Sequence, residues 1–304
     1  MAARAAARGA KVAATAALVA LALLLGCSVP RGEGEATAAS TRTPTRIVSM
    51  NPCVDGILRE VADPAQIAAI SHYSHDPRST SVPIDWARRF PAVGDSAEDV
   101  LSARPDLVIA GPHIAPDTLA ALKRMGVPLL STTVPATVEE STAQIAQIAA
   151  RIGRAEQGRA LGARIDRAVA EARAEAGRGA RPRALIWQDG GLVPGPGTLA
   201  NALLEDTGFR SSAAQMRLAQ WDMVSVEQLL LTPPDVVMTG AGGMESSGDN
   251  GNAPARHPVL AKARQHIMVA PFPSRLLHCA GPTIVETVGQ LTSIRARWRR
   301  KHGA

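Results

Sequence analysis

Short β-branched runs alternate with amphipathic stretches along most of the chain. Arg46–Met50, Ile67–Ser71, Leu107–Ala110 and Pro128–Thr132 are compact apolar runs in the first half, and Arg183–Trp187, Val236–Thr239 and His266–Ala270 in the second. The segments between them carry apolar residues at helical spacing, and strands that alternate with helices predict parallel sheets. Between the halves, Arg154–Gly177 places Leu161, Ile165, Ala168, Val169 and Ala172 on one narrow stripe, with charges or alanine elsewhere. This reads as one helix roughly 36 Å long, enough to brace two lobes. Thr137-Val-Glu-Glu140 is a capping box that opens the preceding helix, and Gly153 separates that helix from the brace.

An internal repeat flanks the brace. Ser96–Gly111 and Ser225–Gly240 share 7 of 16 residues at a constant offset of 129. Each unit has a capped helix start, a Pro-Asp turn and a β-branched run that ends in glycine. The fold class predicted is therefore α/β, two Rossmann-like lobes with parallel sheets joined by one long rigid helix. Residues 46–153 form the first lobe, 154–177 the linking helix and 178–304 the second lobe, with a cleft where the lobes face each other. Asn51-Pro52-Cys53 and His72–Pro77 fall at the carboxyl ends of strands, where open α/β sheets bind ligands.

The first residues change the picture of charge. Arg4, Arg8 and Lys11 precede an apolar run, Val12–Leu25, which is followed by Leu24-Leu25-Gly26-Cys27. This resembles the signal peptide and lipobox of bacterial lipoproteins and implies cleavage before Cys27, acylation of its thiol and a membrane tether on an exported, periplasmic or extracytoplasmic protein. Residues 1–27 are then the signal and 28–45 a flexible tether, whose Gly, Glu, Ala, Ser, Thr and Pro composition cannot form a core. Removing three positive charges lowers the formal net charge from +6 to +3. With eight aromatic residues in the chain, stacking platforms for bases are lacking, and no nucleic-acid partner is expected.

Enzymatic chemistry finds little support. No Gly-x-Ser-x-Gly elbow and no His-Glu-x-x-His arrangement is present. The loop Gln188–Gly197 is glycine-rich but broken by two prolines and lacks a following Lys-Ser/Thr, so it is a poor phosphate loop. Asp249-Asn250-Gly251-Asn252 lacks the downstream glutamate of a calcium loop. No resident cofactor is predicted.

With the lipobox, Arg46–Pro52, the repeated Pro-Asp-strand-Gly units and the central helix in view, residues 46–298 resemble the periplasmic binding proteins that feed ABC importers of cobalamin and iron-siderophore complexes. The resemblance implies a monomer that clamps a bulky metal chelate between two lobes and hands it to a permease dimer. It implies that Glu98 and Glu227, at the same place in each repeat unit, pair with permease arginines. It also places Tyr73, Trp187 and Trp221 as flat apolar walls for the ligand. The aromatic positions that follow Val93-Gly94 and Ala110 in cobalamin binders are Asp95 and Gly111 here, and a haem binder would offer a tyrosine near Asp95, where the sequence has none. The alternatives are a haem- or metal-binding protein, or a sensory module on the same fold.

The remaining candidates are Cys53, His72, His75 and His113 at strand ends of the first half, and Arg275, His278 and Cys279 in the second. Imidazole and thiolate suit soft or borderline metals, although the spacings match no zinc motif. Arg275 could pair with a carboxylate or phosphate of the ligand, or be a surface charge. Cys53 and Cys279 could pair in an oxidising compartment, or stay free, since a bridge across a moving cleft would lock it.

Overall fold

The computed structural model describes residues 42–77, 79–240 and 266–303, and Thr43–Ala304 forms one compact unit. The expected signal peptide, Cys27, most of the tether and the Asp249–Asn252 segment lie outside the described residues. Among the described residues, no helix is long and apolar enough to cross a membrane.

The first lobe is built on β1 (Ile47–Ser49), α1 (Pro52–Val61), β2 (Ile67–Ser71), α2 (Ile84–Ala87), β3 (Ala92–Val93), α3 (Ala97–Ser102), β4 (Leu107–Ala110), α4 (Pro116–Arg124), β5 (Leu129–Ser131) and α5 (Val138–Arg151). Its five strands are all parallel, in the order β3-β2-β1-β4-β5. β1 and β4 lie at its centre and are wholly buried, which is why they read as unbroken apolar runs.

After α6 (Ala155–Ala176), the second lobe comprises β6 (Arg183–Ile186), β7 (Leu192–Pro194), α7 (Leu199–Asp206), β8 (Arg210–Ser211), α8 (Ser212–Gln215), β9 (Trp221–Met223), α9 (Val226–Leu231), β10 (Val236–Thr239), β11 (Met268–Pro271), α10 (Arg275–His278) and α11 (Thr283–His302). Its main sheet is parallel, in the order β11-β10-β6-β8. β7 and β9 form a separate antiparallel ribbon, which departs from the expectation of parallel sheets alone. The stretch read as a glycine-rich loop supplies one of its strands.

The repeated Pro-Asp turn has one physical job in both lobes. Asp106 accepts hydrogen bonds from the backbone N–H of Thr45 at 2.8 Å and of Arg46 at 2.9 Å, pinning the start of β1. Asp235 accepts the backbone N–H of Arg183 at 2.7 Å, pinning the start of β6. Partial burial opposes the charge at both carboxylates, but these hydrogen bonds, with the Arg183 guanidinium donating to Asp235 at 3.1 Å, outweigh it and hold both below the usual carboxylate range. The helix starts also follow the sequence. Ser96, Thr137 and Ser225 cap through their hydroxyls, and Gln228 completes the box at Ser225. Glu140 reaches one residue further back than a standard box, accepting from Ala136 N–H at 2.7 Å.

Helix α6 is fastened to both lobes. Towards its start, Gly158 lies so close to Ala149 of α5 that a side chain there would collide with it. Just ahead of the helix, Arg154 donates to Asp63 at 2.9 Å and Gln66 at 3.1 Å, and Arg164 pairs with Glu60 at 2.6 Å. Towards its end, Arg173 forms a two-pronged pair with Asp206 of α7, at 2.8 and 2.9 Å. Arg295 of α11 is fully buried and donates to the carbonyls of Glu175, Ala176, Arg178 and Ala180. It thereby satisfies acceptors that the end of a helix leaves unpaired. A single apolar cluster runs from Leu58 and Ile148 through Leu161, Ile165 and Val169 of α6 to Leu203 and Leu291. The two lobes share one core.

A second crossing joins them. Cys53, at the start of α1, is disulfide-bonded to Cys279, between α10 and α11, with the Cα atoms 5.1 Å apart. Pairing was one of the two readings the sequence allowed. A cross-link spanning 226 residues removes roughly 5 kcal/mol of loop-closure entropy from the unfolded chain on simple chain statistics.

Replacing Arg295 with Met should strand several carbonyls at the end of α6. Urea unfolding should show a loss of about 3 kcal/mol or more, of which Arg295→Lys recovers less than half because an ammonium cannot span the same acceptors. An unchanged midpoint in Arg295→Met would show that the cap is dispensable.

Candidate functional site

Between the lobes lies a cleft of about 850 Å³. Its first-lobe wall is built from the carboxyl ends of strands, and at its centre are Asn51 and Cys53 after β1 and Pro112 and His113 after β4. β1 and β4 are neighbours at the point where the strand order reverses, the place where α/β sheets leave a crevice for ligands. Asn51 also caps α1, accepting from the N–H groups of Cys53 at 2.8 Å and Val54 at 3.3 Å. Gly111 leaves room for this side chain, since any β-carbon there would strike Asn51. An aromatic residue at position 111 would therefore have to displace the Asn51 cap.

Tyr73 projects into the cleft from the 3-10 turn His72–His75 that follows β2. It is 42% exposed, its ring lies 4.0 Å from the ring of His72, and its hydroxyl donates to Asp95 at 3.4 Å. The sequence shows no tyrosine beside Asp95, but β2 and β3 are adjacent parallel strands, so the loops that follow them meet. The expectation that this region lacks a phenol is therefore corrected.

Beneath the turn, Asp55 of α1 is fully buried. It accepts from Ser74 Oγ at 2.6 Å and from the N–H of Ser71 at 3.2 Å, which fastens the Tyr73 turn to α1. Its Oδ1 meets no donor among the described residues. Burial raises its pKa to about 7, against the opposing pull of the neighbouring Ser49, Ser74 and Ser71.

The second lobe contributes Gly197–Ala200, Gln220, Trp221 and Leu277–Ala280. Trp221 is 44% exposed on the β7–β9 ribbon, with Met223 beside it on the same face of the strand. His278 lines the cleft, and desolvation holds its imidazole below the ordinary histidine range, so it is neutral at neutral pH.

Of the candidates read from the sequence, Cys53, Tyr73, His113, Trp221 and His278 all face this one cleft. Four readings need correction. Trp187 is not a wall: it is 2% exposed and its indole N–H donates to the Val224 carbonyl at 2.8 Å, in the core behind the ribbon. Arg275 is not on the cleft; its guanidinium is engaged by both carboxylate oxygens of Glu286. Cys53 is half of a disulfide rather than a thiolate donor. His72 and His75 are likewise away from the wall, bonded to the carbonyls of Val93 at 3.2 Å and Ala87 at 3.1 Å. No group of three or more His, Cys, Asp or Glu side chains that could hold a metal occurs among the described residues. Sequence reasoning passed over Asp95 as a contact and the loop Thr132–Ala136 after β5, both of which the strand-end rule could have found.

Two parallel-sheet lobes sharing one helix and one core, with an open cleft between strand ends, define a solute-clamping protein. The chain belongs to the periplasmic binding protein family, whose model matches residues 47–260. No curated protein matches it in sequence. Among solved structures it is similar to the periplasmic heme-binding protein RhuT from Roseiflexus sp. RS-1, at 24% identity over 84% of this chain and 98% of that one, with a TM-score of 0.67. It is similar to the periplasmic heme-binding protein HutB of Vibrio cholerae, at 19% identity over 83% and 98% of the two chains and a TM-score of 0.70. The vitamin B12 binding protein BtuF of Vibrio cholerae aligns at 18% identity over 84% and 98%, with a TM-score of 0.65. These likenesses establish the fold.

The Asp55 carboxyl has a pKa of about 7 in the folded chain and an ordinary value of 3.8, so the native state holds its proton more tightly. Its contribution to stability is full below pH 4 and is lost as pH rises through 7. Thermal melts should show wild type losing stability across that window relative to Asp55→Asn, whose curve lacks the component and whose stability at pH 8 is no lower. Parallel curves would show that Asp55 does not titrate there.

Proposed function

We propose that this chain is the exported binding component of an ABC importer, that it captures a bulky planar metal chelate in the cleft, and that haem is the ligand the site suits best. The observation that carries the reading is the Tyr73 hydroxyl donating to Asp95 at 3.4 Å on the cleft wall. A phenol whose proton already points at a carboxylate is prepared to bind a hard ferric centre as phenolate. His113 and the neutral His278 offer imidazole nitrogens on the same cleft, and Trp221 offers a flat apolar surface for a macrocycle. Heme-binding proteins among the structural neighbours are consistent with this. A corrinoid is the second reading, favoured by Trp221 and by the fold shared with a vitamin B12 binding protein. A ferric siderophore would use the same cleft with less need of a flat wall.

Delivery would run through Glu98 on α3 and Glu227 on α9, both exposed and each in the first turn of the capped helix of its repeat unit. The repeat gives a two-fold permease two equivalent anchors. Acylation at Cys27 would hold the protein at the membrane as a monomer.

Titrating the chain with hemin, cobalamin and a ferric siderophore, followed by absorbance, tests the ligand. Hemin should saturate and show a phenolate-to-iron band. Tyr73→Phe should abolish the band and weaken binding by roughly tenfold or more, about 1.4 kcal/mol, while Trp221→Ala weakens binding and keeps the band. Saturation by cobalamin alone would select the corrinoid reading.

Charge reversal at both Glu98 and Glu227 should abolish uptake and leave the cleft's affinity unchanged. Unimpaired uptake would instead favour a sensory module on this fold.

A further inference from the structure

The two crossings between the lobes differ in kind. No residue of α6 lines the cleft, whereas Cys53 and Cys279 both do. Other contacts flank the disulfide. Gly281 N–H donates to Ser141 Oγ of α5 at 2.8 Å, Pro282 lies over Gly56, and Gly281 abuts Ile57. The sulfur bridge crosses between the lobes beside these contacts.

We propose that the cleft floor carries a thiol–disulfide exchange site, and that cleavage of Cys53–Cys279 by a dithiol reductant releases this crossing while α6 keeps the lobes together. The inference goes beyond the ligand reading and holds whichever chelate is carried.

Access decides which sulfur is attacked. Cys53 is partly exposed to the cleft and Cys279 is 6% exposed. A dithiol thiolate therefore attacks Cys53 Sγ, forms a mixed disulfide with it and expels Cys279 as a thiolate that takes up a proton. The second thiol of the reductant then resolves the mixed disulfide and releases Cys53 as a thiol. Two electrons and two protons pass to the protein, and the dithiol becomes a cyclic disulfide. The freed Cys53 S–H has the carbonyl of His278 as an acceptor 3.4 Å away, so the reduced state leaves no orphaned polar group at this point.

Release should be local. The apolar cluster through Ile57, Ile145, Ile165 and Ile294 does not depend on the bridge, and the arginine ties of α6 lie on other residues. What loosens is the contact between the start of α1 and the segment 276–284, the one place where a covalent bond holds the cleft's two walls at a fixed separation.

The test is hydrogen–deuterium exchange on the full chain, oxidised and after reduction with dithiothreitol, with no ligand added. Reduction should speed exchange in peptides covering 51–58 and 276–284 by at least tenfold more than in α6, whose exchange changes only with the global stability the cross-link supplied; an equal gain in α6 would overturn the proposal. A Cys53→Ser/Cys279→Ser double variant should match the reduced chain, and far-UV circular dichroism of reduced wild type verifies that the fold persists if that variant fails to fold. Equal exchange in the two redox states would overturn the proposal, as would direct alkylation of both cysteines before any reductant is added. Hemin binding plays no part in these readouts, so failure of the ligand reading and failure of the exchange site are told apart.

Discussion

Everything in this molecule depends on α6 being packed and bonded into both lobes. The helix contributes Leu161, Ile165 and Val169 to a core that both lobes share, so separating the lobes along it would expose apolar surface on both sides. Its end is finished by Arg295, whose guanidinium takes the Ala176 carbonyl, shares that of Glu175 with a backbone N–H and reaches on to Arg178 and Ala180. A buried arginine without a carboxylate partner is costly to desolvate, and burial lowers its pKa. Multiple carbonyl dipoles offset that cost and turn the helix end into a rigid joint. Ligand capture then has to come from the loops at the strand ends.

Those loops are positioned by strand order. β1 and β4 are central and adjacent, so the turns that follow them open onto one crevice, and the parallel neighbours β2 and β3 bring Tyr73 and Asp95 together across 22 residues of sequence. Asp55 binds the Tyr73 turn from below with one carboxylate oxygen and leaves the other unpartnered. The phenol's position is thus fixed by a buried group that no ligand can touch.

Much of this was readable from the chain. The brace, the repeat and the helix caps are local patterns of spacing and hydrogen-bonding residue types, and each appears where the pattern puts it, Arg154–Gly177 becoming Ala155–Ala176 with its caps. The parts that were not legible are all matters of pairing between distant segments. Leu192–Pro194 and Trp221–Met223 are too short to carry a period, and they become a ribbon only because each completes the other. Trp187 and Trp221 look alike as large apolar residues near strand ends, yet one donates its N–H inside the core and the other faces solvent. Arg275 reads as a ligand clamp until Glu286, 11 residues on, is seen to occupy its whole fork. Cys53 and Cys279 face one another only after two lobes are folded about a shared helix.

Trp187 has a consequence that reaches the cleft. Its indole anchors the Val224 carbonyl, one residue beyond the strand that carries Trp221 and Met223. The apolar wall is hung from an interior residue like a door from its hinge post. Variation in this lineage would therefore re-aim the wall, and with it the shape of the cleft, through substitutions at a site that does not line it. Selectivity in such a protein is inherited partly through its interior, where a comparison of surface contacts would not look for it.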